Sequence, residues 1–310
     1  MKNVNYLNPS TTRIISKRLD NASSISLSII IASHNNITEL TTTLSNLING
    51  KTNETEIIVV AAGCTDGTYD KVVVKFPHIS VINCQDVGWG EANNIGTIFS
   101  RGEYLLFLGD DCVGKGNWLE ELLDFAKHSD DFGSIGSVVE FPESGTYWVG
   151  GEIRRSIPRV RLNIFNSFEP IKNHLSRRVG FLPFPLIRKR VFQEVGGFDP
   201  EYFYLYDDPD LGMRLTLSEY TNYCINNSVI ATTGSKAEGT PKKHYFGVRN
   251  ELRFLLKFSS TVMLIPGFII FSFGLFLYLF LRADHRFIKK TIEAIKWNVL
   301  QFREIRKFRP

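Results

Sequence analysis

The sequence predicts an α/β protein built on a mostly parallel sheet with helices on both faces. Four short apolar runs, residues 25–32, 56–61, 79–83 and 104–108, read as buried strands. Helix-like segments separate them, and strand–helix repetition at this interval implies parallel pairing through crossover helices. Strands covered on both faces also read as unbroken apolar runs, as these do.

Each element has a local reason. Residues 1–24 are polar and read as a loosely ordered N-terminal extension without the apolar core of a secretory signal. Reduced thiols and a cytosolic main part are therefore expected. After the first strand, residues Ser33 to Asn36 offer caps for a helix over 37–49, with Leu40, Leu44 and Leu47 on one face and Gly50 behind it. The second strand runs into Ala62-Gly63-Cys64-Thr65-Asp66-Gly67 and a short helix to about residue 76. A helix over 90–100 links the third strand to the fourth. The loops after the four strands (33–36, 62–67, 85–94, 109–112) should form a ligand crevice at the carboxyl edge of the sheet.

The fourth strand ends in Gly109-Asp110-Asp111. Two adjacent carboxylates at the end of a buried strand repel each other and lose hydration, so they call for a positive partner. A hard divalent metal prefers such oxygen ligands and can hold a diphosphate in turn. The alternative is an ordinary Asp-rich turn.

The second half is less regular. Residues 181–187, with Pro183 and Pro185, read as irregular or edge structure. A short helix over 188–195 closes at Gly196-Gly197. The aromatic segment 202–206 runs into Asp207-Asp208-Pro209-Asp210. Pro209 suits a first helical turn, so Asp207 or Asp208 is expected to cap a helix to about residue 220. The aromatics either stack on a ligand or pack in the core.

The 310 residues are 43% hydrophobic and 22% charged, ordinary for a globular protein. The net charge of +4 hides an asymmetry: residues 282–310 carry +6, leaving about −2 elsewhere. That excludes a basic nucleic-acid-binding body. Cys64, Cys84, Cys112 and Cys224 form no closely spaced pair. The first three fall just past strand ends, where small packing residues are a simpler reading than a thiol metal site.

Four segments together resemble family 2 glycosyltransferases with the GT-A fold. They are SIIIASHN (28–35), EIIVVAAGCTDGT (56–68), GWGEANNIG (88–96) with YLLFLGDD (104–111), and VFQEVGGFDPEYFYLYDDPDLGMRL (191–215). The similarity covers roughly residues 26–257, and its look is that of a rhamnosyltransferase-like branch serving surface-polysaccharide assembly. The resemblance implies inverting transfer of a sugar from a nucleoside diphosphate donor to an acceptor hydroxyl, aided by Mg or Mn. It further implies that Asp111 is the metal-binding final acid of a D-x-D motif, with Gly109 and Asp110 before it. Asp208 matches the general base, with Asp207 at the adjoining Glu position. Asp66, Ala32, Ser33 and Asn35 fall on the nucleotide-contacting loops, and Trp89, Asn93 and Asp110 complete the expected nucleotide-sugar site. Three departures stand out: Gly109 stands where the family often has Asp or Asn, and Ala61 and Ala62 replace the family's usual Asp-Asn. Thr232 and Thr233 stand where a His is common, with His244 a distant substitute. Arg249 is a candidate for phosphate or for a surface ion pair.

Residues 258–281 hold no charge over 24 positions, long enough to cross a bilayer, but Pro266-Gly267 interrupts them. Basic residues flank both sides, so a bent monotopic insertion competes with a single span at the cytoplasmic face of the cell membrane. Beyond, Ile288, Ile292, Ile295, Val299, Phe302 and Ile305 recur at helical spacing between lysines and arginines, a basic amphipathic helix suited to an anionic membrane. A core helix or a homo-oligomer interface would show the same pattern.

The expected organisation is an extension (1–24), a GT-A domain (25–245) and a membrane-associating helical segment (246–310). The expected partners are a nucleotide-sugar donor, a lipid-linked or cell-surface glycan acceptor and the membrane surface, with no nucleic acid. The rivals are a degenerate GT-A protein that binds nucleotide or glycan without turnover, a nucleotidyltransferase, and a structural membrane adaptor. A nucleotidyltransferase should carry a Gly-rich basic loop after the first strand, which Ser33 to Asn36 is not.

Overall fold

The computed structural model describes residues 6, 15–17, 25–50, 54–154, 156, 158–173, 175–233, 239–282 and 284–307. Its first half is the predicted alternation: β1 (Ile15–Lys17), β2 (Leu27–Ser33), α1 (Ile37–Gly50), β3 (Thr55–Ala62), α2 (Thr68–Lys75), β4 (Ser80–Cys84), α3 (Trp89–Phe99) and β5 (Tyr104–Gly109). Next come β6 (Cys112–Lys115), α4 (Trp118–His128), β7 (Phe132–Phe141), β8 (Thr146–Arg154), β9 (Arg159–Phe165), α5 (Glu169–Lys172), β10 (Ser176–Val179), β11 (Leu186–Arg188) and α6 (Lys189–Glu194). A 3₁₀ turn (Pro200–Tyr202), α7 (Asp207–Leu217), β12 (Thr221–Thr232), α8 (Pro241–Phe258), α9 (Thr261–Arg282) and α10 (His285–Lys307) complete it.

β4, β3, β2 and β5 pair in parallel in that order. Side chains alternate between the two faces of β2, as a strand demands. Ile29 and Ile31 enter one core layer with Leu40 and Leu44 of α1, while Ile30 enters the other with Ile95 of α3 and Phe192 of α6. All of these are fully buried. Each contributes roughly 1.5–3 kcal/mol by leaving water, which is why the apolar runs commit to strands.

Three expectations change. Residues 15–17, in the expected loose extension, form an edge strand antiparallel to β4. The proline-bearing stretch 181–187 leads to β11, which lies inside the sheet, antiparallel to both β5 and β7. The prolines precede the paired residues, so no ladder donor is missing, and the Pro185 carbonyl accepts from Phe107 N at 3.1 Å. The sheet is therefore parallel in its first half and mixed in its second, where β12 runs parallel to β7 and antiparallel to β6 and β10. Finally, Pro266 does not break α9. It lies in the second turn, where a missing N–H removes one hydrogen bond only.

Candidate active site

The carboxyl edge of the parallel strands is one hydrogen-bonded rim. From the β2 end, Ser33 Oγ donates to Asp110 Oδ2 at 2.7 Å and Asn36 Nδ2 to Asp110 Oδ1 at 2.9 Å. Burial pushes the Asp110 carboxyl up, and the neighbouring Asp111 charge adds to it, while the two donors pull the other way. Asp110 is thus held as a rim-building group through both oxygens.

Asp111 is supported from the far half of the sheet. Thr232 Oγ1 and Thr233 Oγ1, at the end of β12, donate to Asp111 Oδ2 at 2.6 and 3.0 Å. These hydroxyls stand where the family resemblance led us to look for a histidine. His244 does not replace it. Its ring stacks on Tyr278, and its Nε2 lies 2.8 Å from Thr291 Oγ1 of α10.

The β2 and β3 loops are stitched by Asn35, whose Oδ1 accepts from Thr65 N at 2.7 Å and Asp66 N at 3.2 Å. Asp66 Oδ1 accepts from Thr68 N (3.0 Å) and Thr68 Oγ1 (2.5 Å), and Oδ2 from Ile37 N (3.3 Å). Burial works against its charge, but these donors outweigh it and its pKa is lowered. Asp66 therefore fastens the starts of α1 and α2 together. His34 Nδ1–H donates to the Ala62 carbonyl at 2.7 Å, and Gly63 N to Cys84 O at 2.9 Å, which carries the rim to the β4 end. Ala32, Ala61 and Ala62 are buried beneath it.

The loop before α7 docks onto the β4 end. Trp89 N donates to Phe203 O at 3.1 Å. Gly88 has φ 79°, and a Cβ there would lie 2.3 Å from the Phe203 oxygen, so only glycine allows this approach. Phe203, Leu205 and Tyr206 all have left-handed φ, at 60°, 68° and 72°. Such strain, roughly 1–3 kcal/mol per residue, persists only where surroundings over-determine it. Here α8 supplies the restraint. Arg249 Nη2 donates to the Glu201 and Tyr202 carbonyls, both at 2.6 Å. Asn250 Nδ2 reaches the carbonyls of Tyr202, Tyr204 and Leu205 at 2.7–2.9 Å. Arg249 is thus a buried clamp on this loop and not a surface ion pair.

α7 starts after this loop. Tyr206, not an aspartate, is its N-cap, so Asp207 and Asp208 form its first turn. Asp207 is buried and its Oδ2 approaches α3, 3.6 Å from where a Gly90 Cβ would stand. Burial raises its pKa to about 6, with the Asp210 charge adding to the rise against its own backbone amide. Asp208 is pushed up by burial and by the Asp207 charge. Further along α7, Asp210 joins Asp199 in a buried ionic cluster. Lys257 Nζ binds Asp210 Oδ1 (2.5 Å) and Asp199 Oδ2 (2.8 Å), Arg253 binds Asp199 (2.8 Å), and Arg214 binds Asp210 (2.7 Å).

Other residues expected at the site also have contacts within the protein. Trp89 meets Phe198 edge-on at 5.2 Å. Asn93 is fully buried, its amide on the Trp89 carbonyl. Tyr202 is buried, Phe203 stacks on Phe246, and Tyr206 packs on Phe254.

Carboxylate and hydroxyl oxygens around Asp111 suit a hard divalent ion that arrives with a diphosphate, since such ions are often held by one or two carboxylates plus substrate phosphates. Among the described residues no three His, Cys, Asp or Glu side chains gather into a ready-made cage. Burial raises all four thiols, Cys84 and Cys224 to about 12, so none is a ready thiolate ligand.

Residues 28–196 match the glycosyl transferase family 2 profile. The chain belongs to that family. It is a glycosyltransferase, and similar proteins agree. An uncharacterized glycosyltransferase of Haemophilus influenzae is 27% identical over 67% of this chain and 68% of its own length. An N-acetylglucosaminyl-diphospho-decaprenol L-rhamnosyltransferase of Mycobacterium tuberculosis is 28% identical over 51% of this chain and 60% of its own. The fold is GT-A, as in GalNAc-T7 solved with UDP, GalNAc and Mn²⁺ (TM-score 0.57, 15% identity, 76% of this chain and 48% of that one). It is also that of the mannosyltransferase PcManGT of Pyrobaculum calidifontis, solved with GDP-Man and Mn²⁺ (TM-score 0.52, 13% identity, 90% and 76%).

Proposed function

We propose that this glycosyltransferase moves a sugar from a nucleoside diphosphate to a hydroxyl of a lipid-linked or cell-surface glycan, with inversion, at the cytoplasmic face of a membrane. The observation that carries the reading is the continuous rim from Asp111 through Asp110, Asn35 and the β4 end to the loop that presents Asp207 and Asp208. A substrate lying along this rim would meet the β5 carboxylates at one end and Asp208 at the other.

Asp208 acts as general base, taking the proton of the acceptor hydroxyl as that oxygen attacks the anomeric carbon. Its raised proton affinity suits the task, because an ordinary carboxylate is a weak base at neutral pH. Burial raises that affinity and the Asp207 charge adds to it. Asp111, with the Thr232 and Thr233 hydroxyls beside it, would hold a Mg or Mn ion. Bound there, the ion supplies Lewis-acid stabilisation of the departing diphosphate's charge. The loops at Ser33, Asn35 and Asp66 bound the nucleotide end. A single displacement inverts the anomeric centre and needs no enzyme nucleophile. The protonated thiols agree with that. The mycobacterial relative's lipid-diphosphate acceptor and the apolar α9 (Thr261–Leu281, exposed along most of its length) support the membrane-proximal acceptor and a role in polysaccharide assembly.

Ala61, Ala62 and Gly109 favour a second reading, a GT-A protein that binds nucleotide or glycan without turnover. Asp208→Asn separates the two. The enzyme reading expects sugar transfer to fall roughly 10²–10⁴-fold. Nucleoside diphosphate should still raise the melting temperature in the presence of Mn. Unchanged transfer refutes the assignment of the base, and absence of transfer from any donor in the wild type supports the binding protein.

A further inference from the structure

We infer that α9 lies in the plane of an anionic membrane surface, with both ends on the same side, and does not span the bilayer. This deepens the membrane-associated reading above and rests on it for the partner, though not on catalysis.

The argument is topological. α8 is fixed to the catalytic domain along its length by Arg249, Asn250, Arg253 and Lys257, which grip residues 199–205 and Asp210. α9 folds back along α8. In its first half, Leu264 and Phe271 pack against the cluster of Leu252, Leu255, Leu256 and Ile305, and near its end Tyr278 stacks on His244, in the first turns of α8. α10 then returns parallel to α8. Thr291 meets His244, Asn298 Nδ2 donates to Arg249 O, and Arg306 donates to Leu256 O. The three helices, each roughly 27–35 Å long at 1.5 Å per residue, lie side by side.

A crossing α9 would therefore carry its neighbours into hydrocarbon. α10 exposes Lys289, Lys296 and Arg303 along its length, and α8 is bound to a buried ionic cluster. Charged side chains resist the bilayer centre, and no spanning arrangement of this bundle avoids placing several there. Lying flat resolves the conflict. The outer side of α9 presents Ile265, Ile269, Phe273, Phe276 and Phe280, and α10 adds an outward row of Ile288, Ile292, Val299 and Phe302. The expected amphipathic face of α10 thus splits: Phe287, Thr291, Ala294, Asn298 and Ile305 face inward to α8 and the other row stays uncovered. Basic residues bordering an exposed apolar sheet are the signature of an interfacial helix on anionic lipid. α8 then acts as a strut, holding the base-bearing loop at a fixed height above the lipid.

The test uses the full chain with Cys64→Ser, which removes the one thiol that is not buried, and single cysteines at Ser260→Cys and His285→Cys, flanking α9. Sealed vesicles of known orientation receive a membrane-impermeant maleimide. Labelling of both positions from the same side is expected, and labelling of one position from each side overturns the inference. In parallel, the purified chain is sedimented with phosphatidylglycerol–phosphatidylcholine vesicles. Lys289→Glu/Lys296→Glu/Arg303→Glu should weaken binding at least about tenfold. Failure of the parent chain to bind these vesicles, or coverage of α9 by a second copy in a stable dimer, also overturns it. Nucleotide binding, read on the chain with Cys64 in place, is unaffected either way, so failure here is distinguishable from failure of the catalytic reading.

Discussion

Asp207→Asn tests the electrostatics of the active site directly. The Asp207 carboxyl titrates near 6 in the folded chain against an ordinary 3.8. At 1.36 kcal/mol per pKa unit, that difference is roughly 3 kcal/mol. Its sign follows from linkage. The folded state holds this proton more tightly than the unfolded chain, so stability is greatest at low pH and falls as pH rises from 3.8 through about 6. At neutral pH the ionised group opposes folding, and a neutral Asn, which can still accept from the helix amides, does not. The variant should be more stable by up to about 3 kcal/mol at about pH 7.5, and the gain should shrink near pH 4. Urea unfolding at the two pH values measures it. For a chain of this length the melting temperature should rise by up to roughly 5 °C. Removing the Asp207 charge also removes one of the two causes that raise Asp208, leaving burial alone. The acid limb of the transfer rate should then move to lower pH, with a weaker base and a slower maximal rate. Equal stability changes at both pH values, or a destabilised variant at neutral pH, would refute the argument that this carboxylate is held against its preference.

Other outcomes follow from the same geometry. Asp111→Asn should abolish Mn-dependent stabilisation by a nucleoside diphosphate while leaving the apo melting temperature within about 1–2 °C, read by thermal shift. Thr232→Val, which removes one of the hydroxyls on Asp111, should weaken the Mn requirement's affinity roughly 10–100-fold in a metal titration of transfer. Lys257→Met leaves Asp199 and Asp210 short of a buried cation and should cost about 3–5 kcal/mol in urea unfolding.

Legibility in the sequence tracks the range of the interactions involved. The parallel half of the sheet could be read from β2 to β5 because each strand is a run of side chains that must all leave water. The ends of those runs put Asp66, Asp110 and the β4 loop on one edge. The second half could not be read. β11 has three paired residues behind two prolines, and its place between β5 and β7 depends on partners rather than on its own pattern. Arg249 looked like a surface or phosphate-binding cation because nothing near it in the chain reveals carbonyls waiting 47 and 48 residues away.

The chain by itself determined the alternation of strands and helices, the position of the carboxylates at a strand end and at a helix start, and the uncharged stretch that became α9. Those are local consequences of period, charge and hydration. Only the tertiary structure decided what surrounds each carboxylate. Thr232 reaches Asp111 across 121 residues and Asn36 reaches Asp110 across 74. It also decided that α9 doubles back on α8. Hydrophobicity says that a helix leaves water, but its direction is set by the neighbours it must pack against.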